Sequence, residues 1–362
     1  LKIHLLNAIQ NGGGHFPSHI SRRIYGYLGL AALFFAMSLG TLFFVHRSFG
    51  GGQLHFSQTV FSAEFIICLL ALLVLYFLAD GLRLYSVIRA MGFRISFTYI
   101  LKLVFVNIFV SNVTPLATGG GVVQIYFMNR KGIPLGEATA ATSIRTMLAA
   151  LMLFTITPIV IWLEPNEFRG FFHRHVLYAI TGVSSLYVAL FWVVLFRIRV
   201  MKCWLYRFLF VLGNMKMLSP RRRRTVYLRV SREMDFFSEG FMKFIRNGTA
   251  WAVLSFFFTA LFLLLLFSFS AVLLKALGYH IPFLTVLAFQ VVVTFFMYFA
   301  PTPGAAGIAE GGYGFFLTHL VQKKDITLLT ISWRFLTIYI GVIIGIMIIY
   351  GELFNRKKRV GL

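Results

Sequence analysis

Charge is scarce in this chain, and acid is scarcer still. Only 12% of its 362 residues are Asp, Glu, Lys or Arg, against about 25% in an ordinary soluble domain. With 59% hydrophobic residues, 42 of the total being Phe, that deficit excludes a soluble globular protein. No fold of this length has the interior to hide so much apolar surface, so lipid must be part of the solvent. Cysteine is nearly absent. Cys68 in an apolar run and Cys203 in a basic one supply neither a disulfide framework nor a metal site, and no cofactor or metal is expected. The nine histidines show no zinc-protease spacing. No Ser/His/Asp grouping has a defensible address, so catalytic residues are not expected either. Residues 1–23 mix His4, Asn7, Gln10, Asn11 and three glycines without an apolar core, so no cleavable leader is expected and the first membrane helix would be the anchor.

The charge that is present leans one way, 34 Lys+Arg against 11 Asp+Glu. In a soluble protein this would point to nucleic acid. Here no recognition motif accompanies it, no nucleic-acid partner is expected, and cytoplasmic loops explain the excess.

A helix needs about 20 apolar residues to cross the hydrocarbon core. Six stretches qualify as full spans: 24–45, 60–79, 146–163 (extended back toward Pro134), 176–196, 249–274 and 326–351. Two further apolar regions are interrupted. Residues 95–129 are broken by Asn112-Val-Thr-Pro-Leu-Ala-Thr-Gly-Gly-Gly121, and 281–322 by Pro301-Thr-Pro-Gly304. Pro removes a donor and Gly loosens the backbone, and such breaks survive at membrane depth only where protein or a water-filled cavity satisfies the freed groups. Both regions read as helix–break–helix hairpins that return to their starting side. The stretch 281–300 is itself long enough to span, which leaves a crossing open there.

With the N-terminus inside, the inner segments 1–23, 80–94, 130–138, 197–248 and 352–362 hold 25 Lys+Arg, and the outer segments 46–59, 164–175, 275–280 and 323–325 hold 6. This bias places both termini in the cytoplasm. The first hairpin then enters from inside and the second from outside. Each break is Thr-Pro followed by glycine, then an apolar arm, a short turn and a span carrying one arginine, Arg145 or Arg334. Thr114 precedes Arg145 by 31 residues and Thr302 precedes Arg334 by 32. Oppositely inserted, these are the marks of an inverted repeat, whose broken helices meet near the midplane. The expected fold is an all-α integral membrane protein: one polytopic domain over 1–362, a first half 24–196, a basic cytoplasmic segment 197–248 and a second half 249–362.

Arg145 lies about 16 Å along its helix from Pro134, and Arg334 about 13 Å from Asp325, taken as the N-cap. An arginine at that depth faces a cavity or a partner. It serves either as a structural pair or as an anion site, since guanidinium matches phosphate bidentately. Glu310 could neutralise either arginine, bind a cationic group or carry a proton, and the three residues are expected to act as one polar centre. Gly304, Gly307, Gly311 and Gly314 form a small-residue stripe that reads as packing. Gly119, Gly120 and Gly121 could expose N–H groups at a helix start. Segment 197–248 interleaves 13 Lys+Arg with Trp204, Phe208 and Phe210. It reads as an amphipathic stretch on anionic lipid, or as plain positive-inside anchoring.

The first break, with Asn129-Arg-Lys-Gly-Ile-Pro-Leu-Gly-Glu-Ala138 and Arg145, resembles the family of the lysylphosphatidylglycerol synthase transmembrane region. Pro301-Thr-Pro-Gly-Ala-Ala-Gly-Ile-Ala-Glu310 is similar to that family's Pro-Gly-Gly-x-Gly-x-x-Glu signature. The resemblance implies a multi-pass bacterial or archaeal cytoplasmic-membrane protein, and its best-understood members use this region to flip an aminoacylated phospholipid between leaflets. Carried over, the site residues are Thr114, Pro115, Gly119, Gly120, Gly121, Arg145, Pro303, Gly304 and Glu310, to which Gln124, Thr302 and Arg334 are added. Many relatives place an acid and then an arginine after the first glycines, where this chain has Val122-Val-Gln124. Only 12 residues follow Tyr350, too few for a synthase domain in this sequence. The expected function is translocation of a membrane phospholipid or lipid-linked headgroup. Ion-coupled transport of a small solute and a non-transporting scaffold for a cytoplasmic enzyme are the alternatives.

Overall fold

The computed structural model describes residues 20–49, 62–163, 168, 173–196, 198–214, 219–247 and 249–360. The N-terminal segment 1–23 and the outer segments 46–59 and 164–175 fall largely outside them. Every regular element among the described residues is helical. Helices α1 (Ile20–Phe49) and α2 (Ala63–Ala90) are followed by the first broken pair, α3 (Phe97–Val113) and α4 (Thr118–Asn129). Helices α5 (Leu135–Leu163), α6 (Arg174–Phe196), α7 (Ile198–Asn214), α8 (Pro220–Asn247) and α9 (Thr249–Ala276) lead to the second pair, α10 (Phe283–Met297) and α11 (Ile308–Leu317). Helix α12 (Lys323–Arg334) continues through a π-helical turn, Phe335–Tyr339, into α13 (Ile340–Val360).

Five helical stretches are long and apolar enough to cross a membrane: Ala63–Ala90, Leu135–Leu163, Arg174–Val193, Thr249–Ala276 and Lys323–Glu352. The sequence reading expects six. The sixth, 24–45, lies within α1, a helix of 30 residues, while Phe97–Val113 and Phe283–Met297 are shorter apolar helices. Within 281–300 the helix α10 has 15 residues.

Helix α2 carries the main boundary correction. Ser62 caps its start, its hydroxyl accepting from the Phe65 N–H at 3.3 Å, with Glu64 in the positive first turn. The helix then runs on past the expected end at 79 to Ala90. Gly92, at φ +88°, donates to the Arg89 carbonyl as the chain leaves the helix. Asp80 and Arg83, assigned by the charge count to a cytoplasmic segment, are therefore helical and buried. Moving Arg83 takes one residue from a tally of 25 against 6 and leaves its bias standing.

Both interrupted regions fold back on themselves. In the first, Tyr99 donates to the Phe127 carbonyl at 3.0 Å and Gln124 to the Leu103 carbonyl at 3.4 Å, a descending register that makes α3 and α4 antiparallel. In the second, Phe289 lies 4.9 Å from Phe316 by ring centroid and Gly312 faces Val293, so α10 and α11 are antiparallel too. Helix α2 packs most extensively on α9, and α13 on α3. Of the expected glycine stripe, Gly304 lies against Phe34 and Asn112 and Gly314 is buried, whereas a Cβ on Gly311 would meet nothing within 4 Å. A close helix–helix approach is also made at Gly341 and Gly345 of α13, which sit against Ile108, Phe105 and Phe109 of α3.

The basic segment forms α7 and α8. Trp204, Tyr206, Phe208 and Phe210 are exposed on α7, while α8 leans on α5. There Gly240 meets Ala140, Lys243 pairs with Glu137, and Phe241 and Phe244 enter the core around Ile144 and Leu148.

Candidate functional site

The two breaks follow the same backbone path. At the first, Thr114 is extended and Pro115 opens a 3-10 turn in which Leu116 and Ala117 take φ +55° and +52°. At the second, Thr302 is extended and Pro303 opens the same turn, with Gly304 and Ala305 at φ +59° and +54°. Proline supplies the fixed φ of the turn's first residue. Left-handed backbone at non-glycine residues costs on the order of 1–3 kcal/mol each, and hydrogen bonds from both threonines brace these turns. The hydroxyl of Thr114 donates to the Val110 carbonyl at 2.8 Å and accepts the Gly119 N–H at 3.0 Å, and that of Thr302 donates to the Ala306 carbonyl at 2.8 Å. The two turns touch each other, Gly304 lying against Asn112 of α3 and Phe34 of α1.

The first glycines do not offer a bare helix start. Gly119 has given its N–H to Thr114, Gly120 lies against Asn107 and Ser111 of α3, and Gly121 faces Thr142 of α5. These positions bring α3, α4 and α5 together, which sets Gln124 beside Arg145.

The sequence reading joins Arg145, Arg334 and Glu310 in one polar centre. The structure divides them into two. In the first, Arg145 Nη2 donates to Asp80 Oδ1 at 2.6 Å and Nη1 to Gln124 Oε1 at 3.4 Å. Arg83 Nη1 reaches the same Asp80 oxygen at 3.4 Å, and Arg83 Nη2 donates to the Arg145 carbonyl at 3.2 Å. In the second, Arg334 Nε donates to Glu310 Oε1 at 2.8 Å and Nη2 to the Gly304 carbonyl at 2.9 Å, while Glu310 Oε2 accepts the Gly307 N–H at 2.8 Å. All five charged groups are buried, Arg334 and Glu310 completely. Asp325 is not the N-cap of the Arg334 helix: Gln322 holds that position, and Asp325, in the first turn, accepts from the Tyr279 hydroxyl at 2.6 Å.

A cavity of about 160 Å³ lies beside Arg334, lined by Tyr76, Asn112, Thr294, Trp333 and Thr337 among others. Arg334 Nη1 has no hydrogen-bond partner among the described residues. The arrangement can therefore hold a polar group of a few heavy atoms, with a guanidinium donor and two hydroxyls available to it. Asp80, Arg83, Tyr76, Asn112 and Thr294 are additions to the sequence-predicted site. The available signal for the first two was the Asp80–Arg83 spacing of i,i+3, which places both on one helical face.

The geometry accounts for why both breaks carry a Thr-Pro and a following arginine, and it can be set beside known proteins. A family model described as the lysylphosphatidylglycerol synthase TM region matches residues 28–345. The chain belongs to that family. The match takes in both breaks, both arginines, Asp80 and Glu310. A UPF0104 membrane protein of Archaeoglobus fulgidus is similar to it, 23% identical over 298 residues, covering 82% of this chain and 89% of the relative. Within the lysylphosphatidylglycerol synthase TM-region family, this chain is a multi-pass membrane protein.

Proposed function

We propose that this protein translocates a membrane phospholipid or lipid-linked headgroup between leaflets, without itself being an enzyme. The carrying observation is the contact of two like backbone breaks beside a polar cavity containing a partly unpartnered arginine. Broken helices belong where polar cargo crosses the midplane. On this reading the antiparallel pairs α3–α4 and α10–α11 are re-entrant hairpins, inserted from the cytoplasmic and outer sides of the cell membrane as an inverted repeat. Helix α1 is the sixth span, and both termini are cytoplasmic. The headgroup passes the cavity as its acyl chains stay in lipid.

A lipid is favoured over a soluble solute by a second feature. An apolar groove of about 360 Å³ runs between Leu261 and Leu264 of α9, Leu287 and Val291 of α10 and Ile156 of α5, and Leu266 of that same α9 segment lines the polar cavity. Headgroup and chain space thus lie on two faces of one helix. The exposed aromatics and arginines of α7 and α8 rest on anionic lipid of the inner leaflet.

The test is reconstitution of the purified protein in liposomes carrying a fluorescent phosphatidylglycerol analogue, with an impermeant reductant added outside. Wild type should expose inner-leaflet probe to bleaching, and Thr294→Val with Asn112→Leu, which strips polar groups from the cavity, should slow it at least tenfold. Bleaching by wild type that stops at the outer-leaflet fraction, as in empty liposomes, would refute the reading.

A further inference from the structure

The two buried centres differ in charge. Glu310 and Arg334 balance one to one, whereas Asp80 faces both Arg83 and Arg145. The other described carboxylates are engaged or exposed elsewhere. Glu137 pairs with Lys243, Asp235 with Lys202 and Asp325 with Tyr279, while Glu64, Glu239 and Glu352 are exposed. The first centre therefore carries one positive charge in surplus at 4–7% side-chain exposure for its three members. A buried unpaired charge is expensive. This one is also short of acceptors: the Nε atoms of Arg83 and Arg145 have no partner among the described residues, and both arginines draw on a single carboxylate oxygen. Partial compensation comes from the face of Phe262, 4.3 Å from the Arg83 guanidinium carbon. Phe262 in turn stacks on Tyr76, which lines the polar cavity one helical turn before Asp80.

We propose that Arg83 and Arg145 bind a singly charged phosphodiester group, with Asp80 setting the charge so that one monoanion neutralises the site. Two guanidinium forks with spare N–H donors match the oxygens of a tetrahedral phosphate. A dianion would overcharge the same site. Arg334, already neutralised by Glu310, offers a hydrogen bond to the passing group but no charge. The inference rests on the translocase reading for the source of the anion, a lipid headgroup, and on the charge count alone for the site.

Thermal unfolding of the full chain in a neutral detergent tests it, with short-chain phosphatidylglycerol and, separately, inorganic phosphate titrated in. Wild type should be stabilised by the lipid. Arg83→Gln should need at least tenfold more for the same shift, yet be no less stable than wild type without ligand, because it removes an uncompensated charge. Arg83→Lys, which keeps the charge and loses the fork, should fall between them and covers the case of a glutamine variant that does not fold. A shift with inorganic phosphate and none with the lipid would overturn the phosphodiester assignment. No shift with either, or equal shifts in wild type and both variants, would overturn the site. If wild type binds the lipid through Arg83 yet fails to expose inner-leaflet probe in liposomes, the site stands and the translocase reading falls.

Discussion

The two arginines of this protein solve the same problem in different ways. Each stands about thirty residues beyond a Thr-Pro break that opens on the same left-handed turn, and each meets a side chain from the arm after its own break. For Arg334 that side chain is Glu310, and the pair closes on itself. For Arg145 it is Gln124, a neutral amide. The missing charge is supplied from outside the broken pair by Asp80 of α2, which brings Arg83 with it. One substitution of type, Glu against Gln, separates a self-contained neutral pair from a three-residue cluster with charge to spare. Matching folds therefore need not carry matching electrostatics, and the half that departs from balance is the better place to look for cargo.

This comparison breaks most readily by charge removal. Arg334→Gln or Glu310→Gln leaves a fully buried partner unpaired and should cost about 3–5 kcal/mol in detergent, with the double substitution recovering much of it. Asp80→Asn, which strands two arginines, should cost as much, whereas Arg145→Gln, which leaves Asp80 with Arg83, should cost less than either. Equal losses at Arg145 and Arg334, measured by thermal unfolding, would mean that the two centres are equivalent after all.

Glycine substitutions come next. Gly120→Ala pushes into Asn107 and Ser111, parts α3 from α4 beside Gln124, and should cost about 1–3 kcal/mol. Gly311→Ala meets open space and should change stability by no more than about 0.5 kcal/mol. Gln124→Glu sharpens the comparison in the opposite direction. It converts the first centre to the balance of the second, should raise ligand-free stability by about 1 kcal/mol, and should abolish the lipid-dependent shift. The smallest effect is at Tyr279, in the α9–α10 connection. Burial first, and then its bond to Asp325, raise its hydroxyl above the ordinary tyrosine range. A raised folded value means that this contribution is fully present below about pH 10 and is lost as pH climbs through the folded value. Tyr279→Phe should be slightly less stable at neutral pH and lack that alkaline decline.

How much of this was legible beforehand follows from the range of each signal. The breaks were plain because Pro115, Pro303 and the glycines act on their own backbone. The two arginines were plain because they stand alone in apolar runs. Asp80 was not, since hydropathy ends the span at the first charge. Only the fold shows that α2 continues because Asp80 finds Arg145 from 65 residues away. For the same reason Arg145 and Arg334 looked like one centre: depth along a helix can be counted from sequence, but direction around it cannot without neighbours. The stripe from Gly304 to Gly314 had the right spacing for packing, but spacing could not say that Gly304 would meet a neighbour and Gly311 open space.

The π-helical turn at Phe335–Tyr339 makes the last span a spliced object. A π turn holds one residue more than the α-helix around it, so everything beyond Tyr339 is rotated by about 100° from where an unbroken helix of 3.6 residues per turn would set it. The phase of Arg334, aimed at Glu310, is thereby uncoupled from the phase of Gly341 and Gly345, aimed at α3. Two functions that a straight helix would have to satisfy with a single rotation are set separately. A one-residue deletion in this turn would consequently act as a change of gearing between the ion pair and the helix seam while leaving every side chain that serves either one in the sequence.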